Sequence, residues 1–227
     1  MSDTTTIELK NIDPEDLSDV LVKVEKSFGF KFGGTELNDV KTFGELCDII
    51  TNKIQGDNAN DCTTQQGFYK LRNAIAAIQL IDKNSVTSDI ELQELFPRDN
   101  RRQRIKELQN ELGMPVDILD IKAWLGWTIF IGIVASLIMF FFKWQLALGG
   151  LLFFIAVGWT AYKFFAKEFE LKTARQLSEK LTRENYLKSR RNPTTVNRSE
   201  IADKVKELFK NNLDLEDTAL TRQATFV

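Results

Sequence analysis

The chain has 227 residues, with 30 Lys and Arg against 32 Asp and Glu, and no histidine. That balance argues against a general nucleic-acid binder, and the missing histidine removes the commonest general base, the Ser-His and Cys-His nucleophile pairs and the usual ligand of catalytic zinc. The mean hydropathy of −0.21 hides a segregation: nearly all the excess apolar character lies in residues 123–165, so the chain reads as a membrane segment flanked by charged soluble parts.

Residues 1–12 form a polar, acidic tail without an apolar run, so no cleavable signal peptide is expected and any membrane insertion is internal. Residues 13–56 form a helical piece. Leu17, Val20, Leu21, Val24 and Phe28 recur at helical spacing, and Asp13, Glu15, Asp16 and Asp19 suit a helix N-terminus. After a Gly-Gly loop, a second helix is expected over residues 42–54 with Phe43, Leu46, Cys47 and Ile50 on its inner face. The only other cysteine, Cys62, stands in no metal-ligand spacing with Cys47, and both are expected to stay reduced.

Residues 64–118 form a further helical unit, opened by Thr64 as N-cap and carrying Phe68, Leu71, Ile75, Ile78 and Leu80 as its apolar positions. Its later part is basic, with Arg98, Arg101, Arg102, Arg104 and Lys106. Three accounts of that stretch stand side by side: contact with anionic lipid headgroups, docking of an acidic helix from this chain or from a free partner, or a solvated face that sets topology.

Residues 123–165 are expected to make a transmembrane hairpin, with spans over 123–142 and 146–165. Each span holds twenty residues, the first uncharged and the second charged only at Lys163, about enough for a hydrocarbon core of roughly 30 Å. Eleven Leu, Ile, Phe or Val residues in the first span favour its insertion by roughly 3 to 7 kcal/mol. The three-residue connection puts both chain ends on one side, and the cations flanking the hairpin make that side the cytoplasm. Trp124, Trp127, Trp144 and Trp159 fall near the interfaces, and Gly132 and Ser136 form a small-xxx-small pair able to seat the second helix. Residues 166–187 read as a charged helix continuing out of the membrane. Residues 188–198 read as a polar linker broken by Pro193, and residues 199–227 as a helix, N-capped by Ser199, with a following loop.

Residues 13–54 resemble the second half of an acyl carrier protein. KSFGFKF stands where that family ends its functional helix and KTFGELCDII where it has its last helix. IADKVKELFKNNLDLEDTALTRQATFV, residues 201–227, is similar to the first helix and following loop of the same family. The order is inverted, which implies a split, permuted carrier-like bundle closed within one chain or between subunits. Its core would join Leu21, Val24 and Phe28 to Val205, Leu208, Phe209 and Phe226. Residues 64–118 resemble a second, degenerate copy through VTSDIELQELF and NELGMPV, without a last helix before the membrane. The family's essential serine receives a phosphopantetheine arm; here Asp13 matches the preceding aspartate and Pro14 stands at the serine's position, which implies that no arm is attached.

The expectation is therefore an all-α protein: a two-helix transmembrane hairpin with small acyl-carrier-like cytosolic modules, in the inner membrane of a bacterial cell with both termini cytoplasmic. No catalytic residue, metal ligand or cofactor is expected. The expected function is that of a non-enzymatic adaptor or scaffold, with the lipid bilayer, protein partners or further copies of itself to contact and no nucleic acid. The alternatives are an accessory protein of membrane lipid or fatty-acyl metabolism that docks genuine, acidic acyl carrier proteins, and a subunit of a transport assembly.

Overall fold

Helix α1 (Pro14–Phe28) begins and ends where its sequence dictates. The Asp13 carboxylate accepts the Glu15 N–H at 2.9 Å, proline occupies the first helical position, and Gly29, at φ 69°, closes the helix by donating its N–H to Glu25 O. Helix α2 (Phe43–Lys53) starts with a complete capping box: Glu45 N–H donates to Thr42 Oγ1 at 3.2 Å, and the Glu45 carboxylate accepts the N–H groups of Lys41 and Thr42 at 2.8 and 3.0 Å.

The computed structural model describes residues 12–226, so the expected tail over residues 1–12 lies almost wholly outside the described residues. Onward from α2 come β1 (Asp57–Asn58), α3 (Thr63–Gln79), α4 (Leu92–Leu95), α5 (Arg101–Leu112), β2 (Leu119–Asp120), α6 (Ala123–Met139), α7 (Trp144–Phe165), β3 (Glu168–Phe169), α8 (Ala174–Glu184), α9 (Tyr186–Ser189), β4 (Thr195–Val196) and α10 (Arg198–Leu213). The protein is mostly helical. Its strands are two-residue pairs, β1 parallel to β4 and β2 antiparallel to β3. Residues up to Asn73 together with those from Ser178 onward form one compact unit, and Ala74–Leu177 form the other.

In the first unit the two ends of the chain share one core. Val20, Val24 and Phe28 of α1, Phe43, Leu46, Cys47 and Ile50 of α2, and Ile201, Val205, Leu208 and Phe209 of α10 are buried together, with Leu21 and Phe226 packed partly buried against them. The Phe209 ring stands 5.3 Å from Phe43 and 6.3 Å from Phe226. Residues 224–226 run extended beside the start of α2. Phe43 N–H donates to Ala224 O and Gly44 N–H to Arg222 O, both at 2.9 Å, and Phe226 N–H donates to Lys41 O at 3.1 Å.

The second unit repeats this closure. Ala174 N–H donates to Ile90 O, Arg175 N–H to Ser88 O and Leu92 N–H to Lys172 O, at 3.1, 2.8 and 2.8 Å, around a bridge between Glu91 and Thr173. These are the same bonds in the same register. The helix start is built alike: the Gln176 side chain accepts the N–H groups of Lys172 and Thr173, and its own N–H faces Thr173 Oγ1 at 3.4 Å. Helix ends match too. Gly113, at φ 65°, closes α5 as Gly29 closes α1, while Leu80 and Asp214, at φ 56° and 50°, end α3 and α10, each followed by an N–H returning five residues, Ile81 to Ala76 and Leu215 to Lys210. KTARQLSEKL is thus the counterpart of KTFGELCDII, and the apolar hairpin of α6 and α7 is inserted ahead of it.

Several expectations change. Residues 166–187 are not one helix continuing from the membrane: α7 stops at Phe165, β3 follows, and a fresh helix starts after Thr173. Residues 188–198 are no solvated linker, because Arg190 and Val196 are fully buried. Asn197 rather than Ser199 caps α10, since its carboxamide oxygen accepts both the N–H and the hydroxyl of Ser199. Thr64 lies inside α3, and Leu80 is 92 % exposed instead of joining the apolar stripe.

Helix α7 is long and apolar enough to cross a membrane, while α6 ends at Met139, short of the expected residue 142. Phe140, Phe141 and Phe142 instead form a tighter turn, their N–H groups donating three residues back, and Trp144 already opens α7. The two helices approach closely. A Cβ on Gly132 would fall 2.3 Å from the Phe154 ring, and one on Gly150 2.7 Å from Ser136 Oγ.

Two outcomes follow from this packing. Phe209→Ala removes a fully buried ring and should destabilise the first unit by about 3 to 5 kcal/mol, seen as faster amide exchange across α1 and α2; unchanged exchange there would detach α10 from that core. The Glu45 carboxyl is held below its ordinary value of 4.5, chiefly by the N–H groups of Lys41 and Thr42. A depressed pKa contributes stability above the ordinary value that disappears as pH falls through the lowered one, whereas Gln176 makes its bonds without titrating. Acidification below 4.5 should therefore loosen the start of α2 but not that of α8. Glu45→Gln should abolish the difference, measured by amide exchange at Glu45 and Gln176.

Candidate functional site

The start of α1 places a pyrrolidine ring at the position the family resemblance assigns to a modifiable serine. Pro14 has no hydroxyl to offer, and the Asp13 carboxylate beside it is engaged in capping. Ser18, one turn on, is exposed. Ser27, at the other end of α1, is buried, donating its hydroxyl to Arg183 O at 2.7 Å and accepting the Tyr186 N–H at 3.1 Å. Leu17, Leu21, Leu37, Val40, Leu46 and Phe226 line a small apolar cavity of about 100 Å³ in this unit.

The Cys47 thiol has no activating environment. Cys47 is buried and its thiol is pushed up to about 12 by burial, so it is protonated at neutral pH. Cys62 is exposed, and neither is in a disulfide. Among the described residues no group of three Cys, Asp or Glu side chains is placed to hold a metal ion.

The basic stretch divides into structural and accessible residues. Arg101 is buried: its Nε donates to Phe96 O at 2.9 Å, another N–H reaches Lys167 O, and the guanidinium lies 4.2 Å from the Phe169 ring centre. It joins the start of α5 to the strand leaving the hairpin. Arg98 pairs with Glu168, and Arg104 donates to Ile78 O at 2.7 Å and pairs with Glu107. Arg102 and Lys106 are different. They stand one turn apart on α5 and line a cavity of about 440 Å³ whose wall also includes Tyr162 and Ala166 at the end of α7. Arg102 Nη1 donates to Tyr162 O at 3.2 Å, tying its guanidinium to the last turns of α7, and Lys106 is exposed.

The floor of this cavity is apolar, formed by the buried side chains of Ile105, Val116 and Ile118, while Gln103, Gln109 and Asp117 supply polar groups. The sequence singles out Arg102 and Lys106 as cations. It gives no signal for Tyr162 or Asp117, which reach the site only because the hairpin brings the chain back to α5.

A second cluster escapes sequence reasoning altogether. Arg190 is fully buried in the first unit, donating to Thr63 Oγ1 at 2.6 Å and to Thr195 Oγ1 and pairing with Asp61. Its carboxylate partner Asp61, although raised by partial burial, ends below its ordinary value through the hydrogen bond and charge of Arg190. This is a structural knot across β1 and β4. No protein-family model, curated protein or solved structure matches the chain.

Proposed function

We propose that the chain is a non-enzymatic membrane adaptor, in which a hairpin anchor holds a carrier-like bundle that cannot be loaded on the cytosolic face of a bacterial inner membrane. The observation that carries this reading is the start of α1, where proline supplies good helix geometry and no nucleophilic oxygen. Fold-preserving chemistry is kept there and group-carrying chemistry is lost. Function then has to come from surfaces. The repeated closure of the two units supports a duplicated carrier-like module whose second copy is interrupted by the hairpin.

The anchor rests on exposed apolar surface. Trp127, Phe130, Ile131, Leu137, Phe153 and Trp159 are each more than half exposed, and such a belt on a chain with charged flanks is covered by lipid. Helix α6 has 17 residues, about 26 Å, and the tight turn that follows adds roughly 6 Å, enough for it to cross beside α7. The short connection returns the chain to the side it left. The flanking cations, with Lys163 4.6 Å from the Trp159 ring centre at the end of α7, support a cytoplasmic side for both ends. An accessory role in docking acidic carriers is less well served, since Arg98, Arg101 and Arg104 are engaged within the chain.

Coexpression with a phosphopantetheinyl transferase should leave the intact mass unchanged; a gain equal to the prosthetic arm, on Ser18 or any other serine, refutes the reading. For topology, the exposed Cys62 is a built-in reporter. In intact cells an impermeant maleimide should label Gln145→Cys in a Cys62→Ser background and leave Cys62 of the native chain unlabelled. Labelling of Cys62 alone would invert the orientation.

A further inference from the structure

We infer that the cavity between α5 and the end of α7 is a binding site for the phosphodiester headgroup of an anionic, polyol-bearing phospholipid; this rests on the membrane reading above. Level comes first. Tyr162 lies three residues before α7 ends, and Trp124 and Trp159 flank the same end of the hairpin, so the aromatic belt sets the cavity at the height of the lipid headgroups. Its volume of about 440 Å³ is within the roughly 300 to 1,000 Å³ of small-molecule sites.

Charge and donor chemistry then narrow the ligand. Arg102 and Lys106 face the same space from successive turns of α5, and the bond from Arg102 to Tyr162 O uses one of five guanidinium N–H donors. The remaining donors and the Lys106 ammonium suit phosphate oxygens. Asp117 also lines the cavity, so two cations against one carboxylate leave one net positive charge. A monoanionic phosphodiester with an uncharged headgroup neutralises that charge, whereas a zwitterionic lipid brings none. Asp117, Gln103 and Gln109 offer acceptors for the hydroxyls of a glycerol or inositol headgroup, and the apolar floor of Ile105, Val116 and Ile118 receives the glycerol backbone at the root of the acyl chains. The same phosphodiester chemistry exists in soluble glycerophosphodiesters, which lack the chains that the bilayer would hold.

The test uses full-length protein in nanodiscs of phosphatidylcholine containing a small fraction of phosphatidylglycerol, with bound lipid counted by native mass spectrometry. Phosphatidylglycerol should be retained selectively. Arg102→Gln or Lys106→Gln should each weaken retention roughly 5-fold and the pair about 30-fold, while Arg98→Gln, which removes a cation outside the cavity, should have little effect. Circular dichroism confirms that each variant keeps its helix content, and the Lys106→Gln result decides if an arginine variant does not fold. Retention of phosphatidylglycerol no better than phosphatidylcholine, or equal loss in all three single variants, overturns the site. Competition by millimolar glycerophosphoglycerol as effective as by the lipid would make the ligand a soluble phosphodiester and overturn the lipid assignment. Failure to enter phosphatidylcholine nanodiscs at all would refute the membrane reading itself, so the two failures are distinguishable.

Discussion

Each unit of this protein is closed by a short extended segment hydrogen-bonded across the start of a capped helix, and both closures join residues far apart in sequence. Thr42 meets Thr225 in one, and Glu91 meets Thr173 in the other. Closing such separations costs entropy that grows only slowly with loop length, so what makes them possible is geometric: the chain must come back. In the second unit the intervening stretch includes α5 and the apolar hairpin, and α8 can complete its contacts only after α7 has returned. The antiparallel pair of β2 with β3 joins the two arms at the neck, with Lys167 N–H donating to Asp120 O and Glu170 N–H to Ile118 O. Seen from the bundle, the hairpin is an insertion between paired ends, the kind of site where extra chain disturbs a fold least.

Where one helix meets a clear stop signal, its sequence suffices. Asp13, Pro14 and Gly29 delimit α1, Thr42 with Glu45 starts α2, and the apolar stripes of α1 and α10 point to the residues that share one core. That α10 packs against α1 and α2 is contained in no local pattern, since each stripe is equally able to seek another partner. The exit from the hairpin was harder to read because a charged stretch after an apolar helix looks like its continuation. Two signals were present nonetheless: Phe169 and Leu171 alternate with charged neighbours, the period of a strand, and Thr173 with Gln176 has the spacing of a capping box.

The site was less legible than the fold. A run of five basic residues looks uniform in sequence, yet the structure uses Arg101, Arg98 and Arg104 to join α5 to neighbouring segments and leaves Arg102 and Lys106 facing a cavity. Nothing local separates these roles, because each depends on which distant backbone carbonyl lies opposite. Arg190 is the extreme case. It sits in a polar, proline-containing stretch that reads as solvated, and it becomes fully buried because Asp61, Thr63 and Thr195 together satisfy its guanidinium.

These roles also separate the two units. Proline at the start of α1 leaves the helix intact, because its missing N–H is one that a helix start does not use. In the second unit the counterpart of α1 is α5, whose cations are spent on holding the hairpin's exit and lining the cavity beside it. The two units therefore share one closure and differ in the charge of the corresponding helix. Helix α1 carries Glu15 and Asp16 in its first turn, whereas α5 carries Arg102 there and ties it to Tyr162 O near the end of α7. One closure thus tolerates an apolar insertion ahead of its second partner segment, because the hydrogen bonds that fix it lie entirely outside the inserted helices.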